Sequence, residues 1–359
     1  MKKMTMKKLL ALGCAFVLGC SMLGCSGKTE EPAAPESTES PADTESPESD
    51  APAADNNSTK DSYNIAIVKQ MDHASLDEIA NAVAAELDAI AADKGITITH
   101  EIYSGQGDQS TLKQIGDQLI TDKVDAIIPI ATLAGQVMAS CAKDTKTPVI
   151  FAAISDPEAA EMVGIDYVTG TSDALNTTFI LDMMFAQNPD VQKVGLLYSQ
   201  SEANSTTPIA EAKAYLEGKG ISYSEQPAAT SDEVIACASA LIAEDVDAIF
   251  TPTDNVIMAS ELAIYEDLAK AGIPHYTGAD SFVRNGAFTT CGVNYTDLGT
   301  QTANLAFDAV VNGMADMDDF YLTEGGIITV NTETAEVLNI DYSVFSDMGE
   351  VVEVTTTED

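Results

Sequence analysis

From residue 63 onward, short apolar runs alternate with longer amphipathic stretches. "YNIAIVKQ" (63–70) is nearly unbroken apolar sequence bounded by polar residues, the pattern of a buried strand. "SLDEIANAVAAELDAIAADKG" (75–95) then sets Leu76, Ile79, Val83, Leu87 and Ile90 on one helical face. Ser75 and Glu78 have capping-box spacing, and Gly95 marks the stop. "ITITHEIY", "VDAIIPI" and "TPVIFAAI" read as further strands, with "STLKQIGDQLITDK" and residues 133–143 as the helices between them.

The second half repeats this order. "KVGLLYS" (193–199), "ISYSEQ", "VDAIFTP" and "IPHYTGA" are strands, separated by helices in "TPIAEAKAYLEGKG", "SDEVIACASALIAED" and residues 256–271. The repeat extends to wording: "IIPIATLAGQVMAS" (127–140) and "IFTPTDNVIMAS" (249–260) both follow Val-Asp-Ala, about 120 residues apart. Alternating strands and helices with continuously apolar strands define an α/β chain of two doubly wound parallel-sheet lobes. Lobe one is expected over 62–175 plus 290–322, and lobe two over 176–289 plus 323–345. "AFTTCGVNY" and a helix over 297–312 find no place in a five-strand register of lobe two, whereas "GGIITVN" adds a strand there. The chain should therefore cross a hinge three times, leaving 346–359 as an acidic tail.

The N-terminus is organised differently. Lys2, Lys3, Lys7 and Lys8 precede a short apolar run, the arrangement of an export signal rather than a membrane span. Leu23, Gly24 and Cys25 close that run and resemble the lipobox of bacterial lipoproteins, which places acylation on Cys25. Cys20 also fits the pattern, but the apolar region continues past it. Residues 1–25 are thus read as a lipoprotein signal. Residues 26–61, rich in Pro, Ser, Thr and acid with no large apolar side chain to bury, are read as an extended tether.

Composition narrows the function. With 17 basic and 57 acidic residues the formal charge is −40, which repels nucleic acid and anionic surfaces. Beyond the signal, Cys141, Cys237 and Cys291 match no metal spacing and read as buried thiols. No phosphate loop, metal cluster or nucleophile elbow appears, so no cofactor, metal or catalytic residue is assigned. His100 and His275 lie inside strands. Glu202 and Asp254 are a conceivable carboxylate pair, but the chain has no tryptophan platform for a sugar.

In open parallel sheets, ligands bind beyond the carboxyl ends of the strands, at helix N-termini. Those loops are "KQMDHAS", "IATLAG" and "AAISDP" in lobe one, and "YSQSEANSTTP", "TPTDN" and "GADS" in lobe two. They contain the candidate ligand-binding residues Gln70, His73, Thr132, Ser155, Asp156, Asn204, Ser205, Thr253, Asp254, Asn255 and Asp280. Gln70 can equally complete its strand's ladder, and Thr132 and Thr253 can equally cap helices at equivalent places. Asp156 and Asp280 follow corresponding strands, and Asp280 is preferred as the partner of an amino group. Phe151, Tyr167, Tyr198 and Phe282 could stack on a ring or serve the core.

The lipobox combined with "QGDQS" (106–110), "TGTSD" (169–173), "SEANS" (201–205), "PTDN" (252–255) and "GAD" (278–280) resembles the tryptophan-type substrate-binding lipoproteins of ABC importers. The resemblance spans 63–345 and departs at Asp72 and Ala74, which flank His73. It implies a type I periplasmic-binding-protein fold, an aromatic amino acid as ligand, and an ABC permease and ATPase as partners. It also implies a monomer held outside the cytoplasm by a lipid anchor. On that reading the ligand carboxylate lies near Thr132 and Ser205, and its ammonium at Asp280, supported by Asn204 or Asn255. A ligand sensor of the same fold, or a tethered hydrolase, are the alternatives from other functional classes.

Overall fold

The computed structural model describes residues 60–357. The expected signal, Cys25 and most of the tether lie outside the described residues. In the first lobe, β1 (Ser62–Lys69), α1 (Ala74–Lys94), β2 (Thr97–Ser104), α2 (Gln109–Asp122), β3 (Ala126–Ile130), α3 (Thr132–Ala142), β4 (Val149–Phe151) and β5 (Val168–Ser172) follow one another. The chain then enters the second lobe with α4 (Thr177–Gln187), β6 (Lys193–Ser199), α5 (Thr206–Lys219), β7 (Ser222–Ala228), α6 (Ser231–Ala243) and β8 (Ala248–Thr251). The same lobe continues through α7 (Asn255–Met258), α8 (Glu261–Lys270), β9 (His275–Thr277), α9 (Asp280–Arg284) and β10 (Thr289–Val293). After α10 (Tyr295–Asn312) come β11 (Tyr321–Leu322), β12 (Gly325–Asn331), α11 (Thr332–Leu338) and β13 (Val351–Val354).

Two sheets result, ordered β11-β5-β4-β3-β1-β2 and β13-β12-β10-β9-β8-β6-β7. Every described pairing is parallel except β10 with β12. The chain passes between sheets after β5, after β10 and after β11, so three segments join the lobes. The stripe Leu76, Ile79, Val83, Leu87 and Ile90 is buried, and Gly95 ends α1 in the left-handed region at φ 65°. Gly299 brings α10 against α1 so closely that an added Cβ would meet the Ala82 Cβ at 2.7 Å and the Ile79 carbonyl at 2.8 Å.

Three local expectations are corrected. Residues 290–293 belong to the second sheet: β10 pairs with β9 at Thr289 and Thr290, so the return to lobe one begins with α10. The strand expected from "GGIITVN", β12, does join the second sheet, but antiparallel and beyond β10. That strand leaves an unpaired edge, which β13 covers through Ile328↔Val351 to Asn331↔Val354, so the stretch expected to be an acidic tail contains a strand. The Ser75–Glu78 capping box does not form. His73 occupies the N-cap position without a side-chain cap, Ser75 Oγ bonds Ser281 Oγ, and Glu78 accepts from Thr296 Oγ1 at 2.8 Å. Contacts from α9 and α10 compete for both side chains and outweigh the local motif.

Candidate functional site

The carboxyl ends of the two sheets face each other across a cleft, and side chains bridge it directly. From lobe one, Gln70 Nε2 donates to Glu202 Oε1 at 2.6 Å. His73 Nε2 lies 3.0 Å from Asn255 Oδ1, and Ser155 Oγ lies 3.0 Å from Thr253 Oγ1. Thr207 Oγ1 of lobe two donates to Asp156 Oδ2 at 2.8 Å. The lobes are closed on one another.

A narrow cavity lies between them, with about 20 Å³ of room for the centre of a water-sized sphere. Its apolar wall includes Leu76 and Ile79 from the first turns of α1, and Met258 and Phe282 from lobe two. Its polar wall carries His73, Thr132, Ser155, Asp173, Asn204, Thr253, Asp254 and Asn255, with Tyr295 from the start of α10. Ala131 and Ala153, at the ends of β3 and β4, also line it with positive φ of 76° and 55°. Non-glycine residues held there are strained, a feature concentrated at binding sites.

The acids differ in what surrounds them. Asp173 is buried, and its carboxylate accepts from Ser155 Oγ at 2.8 Å and Tyr295 Oη at 3.1 Å. Burial raises its affinity for a proton, and burial also pushes the Tyr295 phenol well above its ordinary value. Asp254 accepts from Ser199 N, Ser205 Oγ, Val256 N and Ile257 N at 2.6–3.1 Å, so it organises the start of α7. Glu202 accepts from Gln70 and, at 2.6 Å, from Asn255 Nδ2. Burial, then the nearby Asp254 carboxylate, pushes Glu202 up to about 7.

Two acceptors at the cavity lack a partner. The Asn204 amide donates to the Thr253 carbonyl, which can only accept, so the Asn204 oxygen is fixed away from it and is buried unpaired. His73 Nδ1 is likewise buried without a partner. Burial lowers the His73 pKa to about 4, so the ring is neutral at pH 7.

Of the residues anticipated from sequence, His73, Thr132, Ser155, Asn204, Thr253, Asp254 and Asn255 line the cavity. Gln70, Asp156 and Ser205 stand behind it, holding Glu202, Thr207 and Asp254 respectively. Asp280 lies outside the lining and accepts from Arg284 Nε at 3.1 Å. Neither threonine acts as a side-chain cap: Ala131 precedes α3 and Asp254 caps α7. Phe282 faces the cavity, whereas Phe151 and Tyr167 are in the lobe-one core and Tyr198 packs against the lobe-two core. Asp173 and Tyr295 were not among the anticipated residues. Asp173 closes the "TGTSD" stretch just past β5, a strand-end signal as good as those used for the other loops.

Closed α/β lobes around an internal cavity, with three connecting segments, define a type I periplasmic-binding-protein fold. The family described as ABC transporter substrate binding protein matches residues 64–345, and the chain belongs to it. Proteins of this family are extracytoplasmic, bind a small molecule and work with an ABC transporter. A tyrosine-binding protein of Clostridioides difficile (strain R20291) is 29% identical over 341 residues, covering 93% of each chain. The ABC domain in complex with L-Trp from Streptococcus pneumonia is 29% identical with a TM-score of 0.73, covering 81% of this chain and 100% of that one. The ligand-free, open structure of a substrate-binding protein with adhesive properties from Clostridium difficile is 27% identical. It has a TM-score of 0.62 and covers 82% of this chain and 100% of that one. At nearly equal identity, the structure fits the L-Trp complex better than the open form, in agreement with the bridged cleft.

Proposed function

We propose that this protein captures an aromatic amino acid between its lobes for delivery to an ABC importer, anchored as a monomer through a lipid on Cys25. The observation that carries the ligand class is the set of acceptors on the polar wall. The Asp173 carboxylate, the unpaired Asn204 oxygen and the unpaired His73 Nδ1 together suit an ammonium, which has three N–H donors and a positive charge. The apolar wall of Leu76, Ile79, Met258 and Phe282 suits a ring.

The printed names of the relatives, a tyrosine-binding protein and an L-Trp complex, support an aromatic side chain. The carboxylate is assigned to the α3 start at Thr132, where backbone N–H groups and the helix dipole favour an anion. Asp173 takes the ammonium role assigned from sequence to Asp280, because Asp173 lines the cavity. The ammonium and the ring each meet residues of both lobes on this assignment, so binding stabilises the closed state by its differential affinity for it. Calorimetric titration of the purified protein with the common amino acids and nucleosides tests this. Saturable 1:1 binding of L-tyrosine or L-tryptophan supports it, and selective binding of a nucleoside or an aliphatic amino acid overturns the ligand assignment.

A further inference from the structure

The hydrogen bonds behind the cavity form a single directional chain. The Leu133 N–H donates to Gln70 Oε1 at 3.1 Å, and a backbone N–H can only donate. Gln70 must therefore turn its NH₂ toward Glu202 Oε1. The other Glu202 oxygen receives Asn255 Nδ2, which turns Asn255 Oδ1 toward His73 Nε2. Since Asn255 Oδ1 can only accept, His73 carries its proton on Nε2. Nδ1, the buried and unpartnered atom, is then a bare lone pair at the cavity.

We propose that Glu202 sets the hydrogen-bonding polarity of the ligand cavity through Asn255 and the tautomer of His73, so that protonating Glu202 turns His73 Nδ1 from acceptor to donor. A proton on Glu202 must occupy Oε2, because Oε1 is facing the Gln70 NH₂. An Oε2–H needs an acceptor, so the Asn255 carboxamide rotates to offer its oxygen. Its NH₂ then faces His73 Nε2, which must become the lone pair, and the imidazole proton moves to Nδ1. No heavy atom need shift beyond the exchange of the amide nitrogen and oxygen.

The surrounding charges decide which carboxyl takes the proton. Asp254, on the start of α7, is also raised by burial, but four donors fixed to its oxygens pull against that and favour its ionised form. Glu202 has two amide partners, one of them able to rotate, and burial and Asp254 both favour its neutral form. The Asn255 backbone N–H adds a pull toward the ionised form. From the β1–α1 loop and α1, Asp72 and Asp77 face His73, with Lys69 of β1 ion-paired to both. From α3 only uncharged groups approach. The carboxyl best placed to change state near neutrality is therefore Glu202.

The consequence rests on the functional reading above: an ammonium-bearing ligand is matched by the cavity when Glu202 is ionised and opposed by a His73 N–H when it is protonated. Glu202→Gln imitates the protonated state, because its NH₂ can only donate toward Asn255. The first test needs no ligand. The chain has three histidines, so ¹⁵N-histidine labelling yields three imidazoles, and His73→Gln assigns the relevant one. Wild type at pH 8.5 should show His73 protonated at Nε2, converting to Nδ1 protonation as pH falls through neutrality. Glu202→Gln should show Nδ1 protonation throughout.

Identical tautomers in wild type and variant, with no pH-dependent exchange in wild type, overturn the proposal. If the variant does not fold, the wild-type titration alone decides. Calorimetry with L-tryptophan, whose ammonium and carboxylate keep their charges from pH 5.5 to 8, should show affinity falling about tenfold toward the acid end in wild type and little change in the variant. If L-tryptophan binds neither protein, the amino-acid reading fails while the tautomer result still decides the role of Glu202.

Discussion

Gln70 at the end of β1 and Glu202 before α5 meet across the cleft at 2.6 Å, although 132 residues separate them in sequence. Each makes a second bond inside its own lobe, to Leu133 N and to Asn255 Nδ2, so the contact joins two local networks rather than two loose side chains. Such a bond exists only when the lobes are together. It therefore contributes to the closed state alone and adds directly to ligand affinity.

Gln70→Ala should thus weaken L-tryptophan binding about tenfold, equivalent to about 1.4 kcal/mol, by leaving Glu202 with one donor fewer in the closed state. Small-angle scattering should show the ligand-free variant more open than wild type. Unchanged affinity together with unchanged scattering would show that the bridge does not help closure.

Asp173→Asn should cost at least tenfold in affinity, because a buried ammonium would lose its counter-charge, a loss on the order of 2–5 kcal/mol. Asp280→Asn, altered outside the lining, should change affinity less than threefold. Calorimetry on both variants decides between them, and the reverse ranking would return the amino-group site to Asp280.

The raised Glu202 pKa has a sign for stability. Folded protein holds this proton up to about pH 7, whereas the unfolded chain releases it near 4.5, so the folded state binds more protons between those values. Its contribution to stability is complete below about 4.5 and is lost as pH rises toward 7, amounting to about 3 kcal/mol at most. His73 acts oppositely: its folded value of about 4 makes stability fall as pH drops from 6.5 through 4. The melting temperature of Glu202→Gln relative to wild type should accordingly climb between pH 5 and 8. A pH-independent difference would mean that Glu202 does not titrate in this range.

Mass spectrometry of membrane-extracted protein should find diacylglycerol on Cys25, and Cys25→Ser should release the chain or leave its precursor uncut. Two or more acyl chains exceed the single-chain threshold for stable anchoring. A mature chain beginning well after residue 25 without lipid would exclude the anchor.

The sequence by itself determined the parts of this protein that depend on neighbours along the chain. Apolar runs bounded by polar residues placed most strands. The stripe from Leu76 to Ile90 placed the buried face of α1, and Gly95 ended it, because strand and helix periods are local geometry. Strand-end chemistry also located the site's loops, and seven of the eleven anticipated residues reached the cavity. Tertiary structure decided the rest. Ser75 and Glu78 left their capping box because Ser281 and Thr296, more than 200 residues away, offered better partners. β10 joined the second sheet through its parallel pairing with β9, and its other neighbour, β12, runs antiparallel, an orientation that no parallel α/β register anticipates. Asp173 rather than Asp280 reached the cavity for a similar reason. Both are strand-end acids, but only Asp173 is met by Ser155 and by Tyr295 arriving on the return crossing, while Asp280 is held by Arg284 one helical turn away. Which of two similar side chains becomes a binding group depends on what the folded chain brings opposite it, and that information is not local.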